Sequence, residues 1–173
     1  MKKILDLGGA HGIDCLAMIN LNPKMKGFVF DKPEIIKVTN EFLKEFENGE
    51  KIQTLEGDYV KDSIGCDYDL IYSKATLNFC KDNLKSVINK IYHALNPGGY
   101  FVSVSDGLTH EKTQPAKMVL GWLSHNLINQ DISFEQNEIA DLMFSTGFNY
   151  VRSKTIQTPF GQMDVDIAKK ATF

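Results

Sequence analysis

Residues 4–12, Ile4-Leu5-Asp6-Leu7-Gly8-Gly9-Ala10-His11-Gly12, decide how the rest of the chain is read. An apolar run ends in an acid and a glycine-rich turn, and Ile13 to Leu21 follow at helical spacing. Strand, glycine turn and helix, in that order, build a nucleotide pocket at the carboxyl end of a first strand. The glycines let the backbone approach a ligand closely and take positive φ. A dinucleotide fingerprint would read G-x-G-x-x-G, whereas this turn reads Asp6-x-Gly8-x-Ala10-x-Gly12, with the acid ahead of it. A carboxylate so placed repels a pyrophosphate and suits an ammonium group. Turns of this kind also occur without a ligand, so the neighbouring strands carry the decision.

Working outward, Lys3 to Leu7 reads as a buried strand, and the following helix, stopped by Pro23, is expected to bury Leu16, Ala17, Ile19 and Leu21. Gly27 to Asp31 is a second strand closed by an acid, and Lys32-Pro33 opens a helix over 34–46 with Ile35, Ile36, Val38, Phe42, Leu43 and Phe46 apolar. Lys51 to Leu55 and Asp67 to Ser73 are the third and fourth strands, with Lys74 to Phe79 a loop. Asp82 is expected to cap a helix ending near Leu95, and Asn96-Pro97-Gly98-Gly99 reads as a stop before a fifth strand that closes at Asp106. Beyond it lie an irregular stretch with a helix over 115–127, a helix over 134–146, and a closing hairpin of strands 149–157 and 163–170. The alternation predicts an α/β fold, a three-layer sandwich with a mainly parallel seven-stranded sheet, Rossmann-like, ending in an antiparallel hairpin. No repeat or linker divides residues 1–173, so a single domain is expected.

Composition narrows the classes of function. The chain of 173 residues is 43% hydrophobic with a formal net charge of −3, which leaves no basic surplus for a nucleic-acid backbone. Cys15, Cys66 and Cys80 lack C-x-x-C spacing, so neither a disulfide framework nor a metal site is expected. No apolar run reaches the length of a membrane span, and a cytoplasmic location is the expectation.

Three acids close successive strands: Asp6, Asp31 and Asp58. Ligands of such sheets sit outside the carboxyl strand ends, where Asp31 can accept from two ribose hydroxyls, the role an acid plays in dinucleotide folds. Asp58, after Gly57, can accept from an adenine amine, and Tyr59 can cover the ring face. S-adenosylmethionine carries an ammonium and no phosphate, and is the expected cofactor.

The runs ILDLGGAHG, VFDKP, EGDYV, DYDLIYSK and ALNPGG resemble class I S-adenosylmethionine-dependent methyltransferases, in particular the catalytic domain of the small-molecule O-methyltransferases that include the caffeate and hydroxyindole enzymes. The doubled Gly8-Gly9, Asp31-Lys32-Pro33 and Gly57-Asp58 carry the match, which covers nearly the whole chain. The resemblance implies that Gly8, Gly9, Ala10 and Gly12 line the methionine part of the cofactor. It also implies that Asp31, with Lys32, holds the ribose, that Asp58 and Tyr59 hold the adenine, and that Lys74 contacts the cofactor.

Two departures stand out. The family's catalytic histidine falls on Asn78, whose amide is not basic but can orient an acceptor. Asp106, near a second acidic position of the family site, can act as a base or orient one, and His110 and His125 are alternative bases from the irregular stretch. Family members carry a helical dimerisation domain ahead of the first strand, whereas this sequence begins on that strand, so either it is a fragment or another chain supplies the cover. One sheet face and the acceptor side are therefore expected to be under-covered, to be completed by self-association or a partner chain. Phe79, Met118, Trp122 and Phe160 can line an apolar acceptor pocket, with core packing the alternative for Met118 and Trp122.

The leading reading is methyl transfer to a small-molecule nucleophile. The alternative is a non-catalytic cofactor-binding module, favoured by Asn78. A nicotinamide-dependent oxidoreductase ranks third, because the glycine spacing does not suit a pyrophosphate.

Overall fold

The computed structural model describes residues 2–159 and 161–172; Phe160, an expected pocket residue, lies outside them. The first strand, β1 (Lys3–Leu7), is buried from Ile4 onward and runs into α1 (Ile13–Leu21). Then come β2 (Lys26–Asp31), α2 (Pro33–Leu43), β3 (Ile52–Glu56), β4 (Tyr68–Lys74), α3 (Leu84–Ala94) and β5 (Leu95–Asp106). Short helices α4 (Ala116–Gly121) and α5 (Leu123–Leu127), then α6 (Glu138–Thr146), lead to the hairpin β6 (Tyr150–Thr158) and β7 (Gly161–Lys169). The seven strands form one sheet in the order β3-β2-β1-β4-β5-β7-β6. The pairs from β3 through β5 are parallel, and β7 is antiparallel to both β5 and β6. The expected mixed sheet with a terminal hairpin is therefore present, and the strand order reverses between β1 and β4.

Strand alternation sorts the core into two layers. Ile4 and Val29 face α1 and α2, where Cys15, Leu16, Ile19, Ile36 and Leu43 are buried. Leu5, Leu7, Ile71 and Phe101 face the other way, against Val87, Ile88 and Ile91 of α3 and Ile139 and Met143 of α6. Over β4, β5 and β7 the first face is only half-covered, leaving Tyr72, Val102, Val104, Val165 and Ile167 partly accessible. The opposite face of these strands buries Ser73, Ser103, Ser105, Asp164 and Asp166.

Several expectations need correction. Ala17 and Leu21 of α1 are exposed, because the helix turns Cys15, Leu16 and Ile19 inward. The second helix stops at Leu43, three residues before the expected end at Phe46; Val38 and Phe46 are largely exposed. Residues 77–83 form a 3₁₀ turn, so Asp82 lies within it and Asn83, not Asp82, occupies the cap position of α3. Asn96 to Gly99 belong to β5: Leu95 pairs with Tyr68, and regular pairing resumes at Tyr100 with Leu70. The expected helix over 115–127 is two short ones broken at Trp122, and the expected helix from Phe134 begins at Glu138, Phe134 being held in an extended segment.

Candidate functional site

The glycine turn is held at the strand ends by backbone bonds. The Gly8 N–H donates to the Phe30 carbonyl of β2 (2.8 Å), and the Gly12 N–H donates to the Gly9 carbonyl (2.8 Å) before α1 begins. Gly8 has φ +67°, and a Cβ there would lie 2.2 Å from Thr76 Cγ2. A Cβ on Gly9 would lie 2.6 Å from the Asp6 carboxyl carbon, so the turn is draped directly over that acid. Position and packing together require glycine at both.

Asp6 is 2% exposed, and its Oδ2 has no hydrogen-bond partner. Burial pushes its carboxyl up to about 7; Asp14 adds to the rise, while the Cys15 backbone N–H and Lys74 pull the other way. A cation beside such a buried acid would lower its proton affinity.

Beside the turn opens a cleft of about 500 Å³ whose walls include Gly8, Ala10, Asp31, Lys32, Tyr59 and Lys74. Asp31, at the end of β2, accepts from the Ala10 N–H (Oδ2, 3.0 Å) and from the Lys32 N–H (Oδ1, 2.8 Å). These bonds fix the carboxylate at the rim. Tyr59 presents its ring to the cleft and donates its hydroxyl to the Thr76 carbonyl (3.1 Å), and burial pushes that phenol well above its ordinary value. Lys74, at the end of β4, pairs with Asp14 of α1 (3.0 Å) across the point where the strand order reverses. Gly57 donates its N–H to the Asp31 carbonyl (3.0 Å), which ties the end of β3 to that of β2.

Five other predicted residues lie at the periphery. Asp6 and Gly9 lie beneath and within the turn, Gly12 is buried at the start of α1, and Gly57 braces β2. Asp58 accepts from the Val60 N–H (2.9 Å) and pairs with Lys61 (3.3 Å), so its carboxylate is engaged within its own turn. Ile35, Glu34, Ala75, Thr76 and Phe79 also line the cleft and were not singled out for the cofactor from sequence. Glu34 and Ile35 directly follow Asp31-Lys32-Pro33, so their position was readable; the positive φ of Ala75 (+52°) was not.

Asn78 and Asp106 meet at the far side of Phe79. Asn78 is 1% exposed, and its Nδ2 donates to Asp106 Oδ1 (2.6 Å) and to the Ile132 carbonyl (2.7 Å). With both amide hydrogens so directed, Oδ1 is left buried and without a partner. Asp106 Oδ2 accepts from Trp122 Nε1 (3.2 Å) and from the Phe134 N–H (3.0 Å). Asp106 thus joins the end of β5 to the 3₁₀ turn, α4–α5 and the 132–134 strand-like segment. Met118 and Trp122 are not core residues: both are half-buried and line an apolar recess with Lys117, Gly121 and Pro159.

Residues 1–149 match the family model described as an O-methyltransferase domain. An uncharacterised protein of Methanocaldococcus jannaschii is 40% identical over 102 residues, 59% of this chain and 26% of that protein. Acetylserotonin O-methyltransferase of Gallus gallus is 29% identical over 153 residues, 87% of this chain and 43% of that enzyme. Among solved structures, human N-acetylserotonin methyltransferase in complex with SAM superposes with a TM-score of 0.76 at 26% identity, over 98% of this chain and 48% of that one. PigF with SAH superposes with a TM-score of 0.84 at 24% identity, over 98% and 50%. The chain spans half or less of the length of each of these proteins. With the family model covering most of its length, this chain belongs to the O-methyltransferase domain family.

Proposed function

We propose that residues 1–173 act as one S-adenosylmethionine-binding domain that transfers a methyl group to a small-molecule nucleophile. The observation that carries this is the cleft at the β1/β4 reversal, where a rim carboxylate, a tyrosine ring and a glycine turn over a buried acid stand together. The open Asp6 Oδ2 fits a cationic amine, and the absence of a Cβ at Gly9 leaves the acid room beneath the turn. Asp31 would take the ribose hydroxyls, Tyr59 the adenine face and Gly8–Ala10 the methionine part. The bound group supplies an electrophilic methyl on a sulfonium.

This chain's residues contribute binding and alignment. Holding a nucleophile in line with the methyl is worth up to about 7–11 kcal/mol of the barrier. Relatives named for O- and N-methyl transfer support methyl transfer in general. Calorimetric titration with S-adenosylmethionine and S-adenosylhomocysteine tests the reading: saturable one-to-one binding, lost in Asp31→Ala, is expected. No binding of either by folded protein would overturn it. A binding module without catalysis is the second reading, favoured by the locked amide of Asn78; release of S-adenosylhomocysteine in the presence of an acceptor separates the two.

A further inference from the structure

The turn after β3 carries Tyr59, and one side chain of α3 grips that turn from behind. Lys90, half-buried, donates its ammonium to the carbonyls of Tyr59 (2.8 Å), Val60 (3.1 Å) and Asp62 (2.6 Å). An ammonium has three hydrogens, and this one has a backbone acceptor for each. Lys61, Lys74, Lys81 and Lys112 differ, since each pairs with an aspartate.

The other bonds of the turn tie it mostly to itself. The Asp58 carbonyl accepts from the Lys61 N–H (2.9 Å) and the Asp62 N–H (2.7 Å), and the Asp62 carboxylate accepts from the Asp58 N–H (2.8 Å). Two links reach further. Lys90 joins the turn to α3, and the Tyr59 hydroxyl joins it to the Thr76 carbonyl, while the Thr76 hydroxyl donates to the Gly8 carbonyl (3.2 Å). Tyr59 is thus held at its backbone by α3 and at the tip of its ring beside the glycine turn. Without the ammonium, the carbonyls of Tyr59, Val60 and Asp62 keep no other donor among the described residues. Water would satisfy them without fixing them.

We propose that Lys90 is a positioning residue for the cofactor: its ammonium fixes the backbone of 59–62, and through it the Tyr59 ring against the adenine. The inference rests on the cofactor reading above. Lys90 is not a wall of the cleft, so it acts through the turn and not by touching the ligand. A turn ordered in advance spares the ligand the entropy of ordering it on binding.

Calorimetric titration of the full chain with S-adenosylhomocysteine tests this. Lys90→Met keeps the apolar stem and removes the donors, and is expected to weaken binding about 10- to 100-fold. In a Tyr59→Ala background the same substitution is expected to cost less than about twofold, because the ring it positions is gone. Lys90→Ala deletes the equivalent of n-propylammonium, and adding that cation is expected to restore most of the affinity. Tetramethylammonium, which has no N–H, is expected to restore none. Unchanged affinity in Lys90→Met would overturn the proposal. So would an equal loss with and without the Tyr59 ring, which is what general weakening of the fold would give, or equal rescue by the two cations. Absence of binding by the wild-type chain would overturn the cofactor reading itself, and the proposal with it.

Discussion

The proposed cofactor side and the proposed acceptor side of this molecule are built in different ways. From β1 to β4, buried strands lie between regular helices, and the ligand-facing groups sit on backbone fixed by the sheet. The span between β5 and α6 holds only short helices, and neither α4 nor α5 has a buried residue. Leu120, Leu123, Leu127 and Ile128 are exposed there, and Phe79, edge-on to His125 of α5, is 60% exposed. This roof is held down by a few polar links: Asp106 at its inner end, and Asp131 between Lys81 (2.9 Å) and Lys112 (2.7 Å) at its outer end. Burial stabilises the first region, whereas in the second Leu108, Ile132 and Phe134 anchor the ends and hydrogen bonds position the short helices between them. Its stability should therefore be local and low.

Substitutions in the two regions should differ accordingly. Leu5→Ala, in a fully buried strand position, is expected to lower global stability by about 2–5 kcal/mol in chemical denaturation. Asp106→Ala leaves the donors of Asn78, Trp122 and Phe134 without their acceptor, and a loss of about 3 kcal/mol is expected. Hydrogen exchange should place that loss in 107–135 and leave β1 and β4 protected; uniform loss would erase the contrast between the regions.

A smaller effect of pH is expected at the glycine turn. Folded Asp6 keeps its proton up to about 7, while the unfolded chain gives it up in the ordinary aspartate range. Without ligand, this group's contribution to stability is therefore complete at low pH and is lost as pH rises to about 7. Cation binding needs the ionised form, so S-adenosylmethionine affinity should rise roughly tenfold from pH 6 to pH 8, and Asp6→Asn should flatten that dependence. The smallest effect is expected at the roof surface, where Leu127→Ala should change stability by less than about 0.5 kcal/mol. A larger loss would mean that the roof packs its apolar side chains after all.

The same contrast explains what was legible in the sequence. Periodicity and glycine turns report on elements that bury one face, and β1 to α3 do so; their order, the parallel sheet and the closing hairpin could be read directly. Helical spacing in 115–127 misled because no core lies beneath it, so the chain breaks at Trp122 and leaves Leu120 and Leu127 in solvent. At the site, Asp31 and Tyr59 could be placed because strand ends converge in this fold. The engagement of Asp58 with Val60 and Lys61 is a local turn that strand position does not encode. The meeting of Asn78, Asp106, Trp122 and Phe134 joins segments far apart in sequence, and only the folded chain reveals it.

The central claim is that the strand ends around the glycine turn receive one adenosyl compound. A crystal structure of the chain with S-adenosylhomocysteine tests it most directly. The account predicts the ribose hydroxyls on Asp31, the adenine against Tyr59 and the amino group at the glycine turn beside Asp6. A ligand lodged elsewhere, or turned so that Asp31 and Asp6 touch neither ribose nor amine, would contradict it.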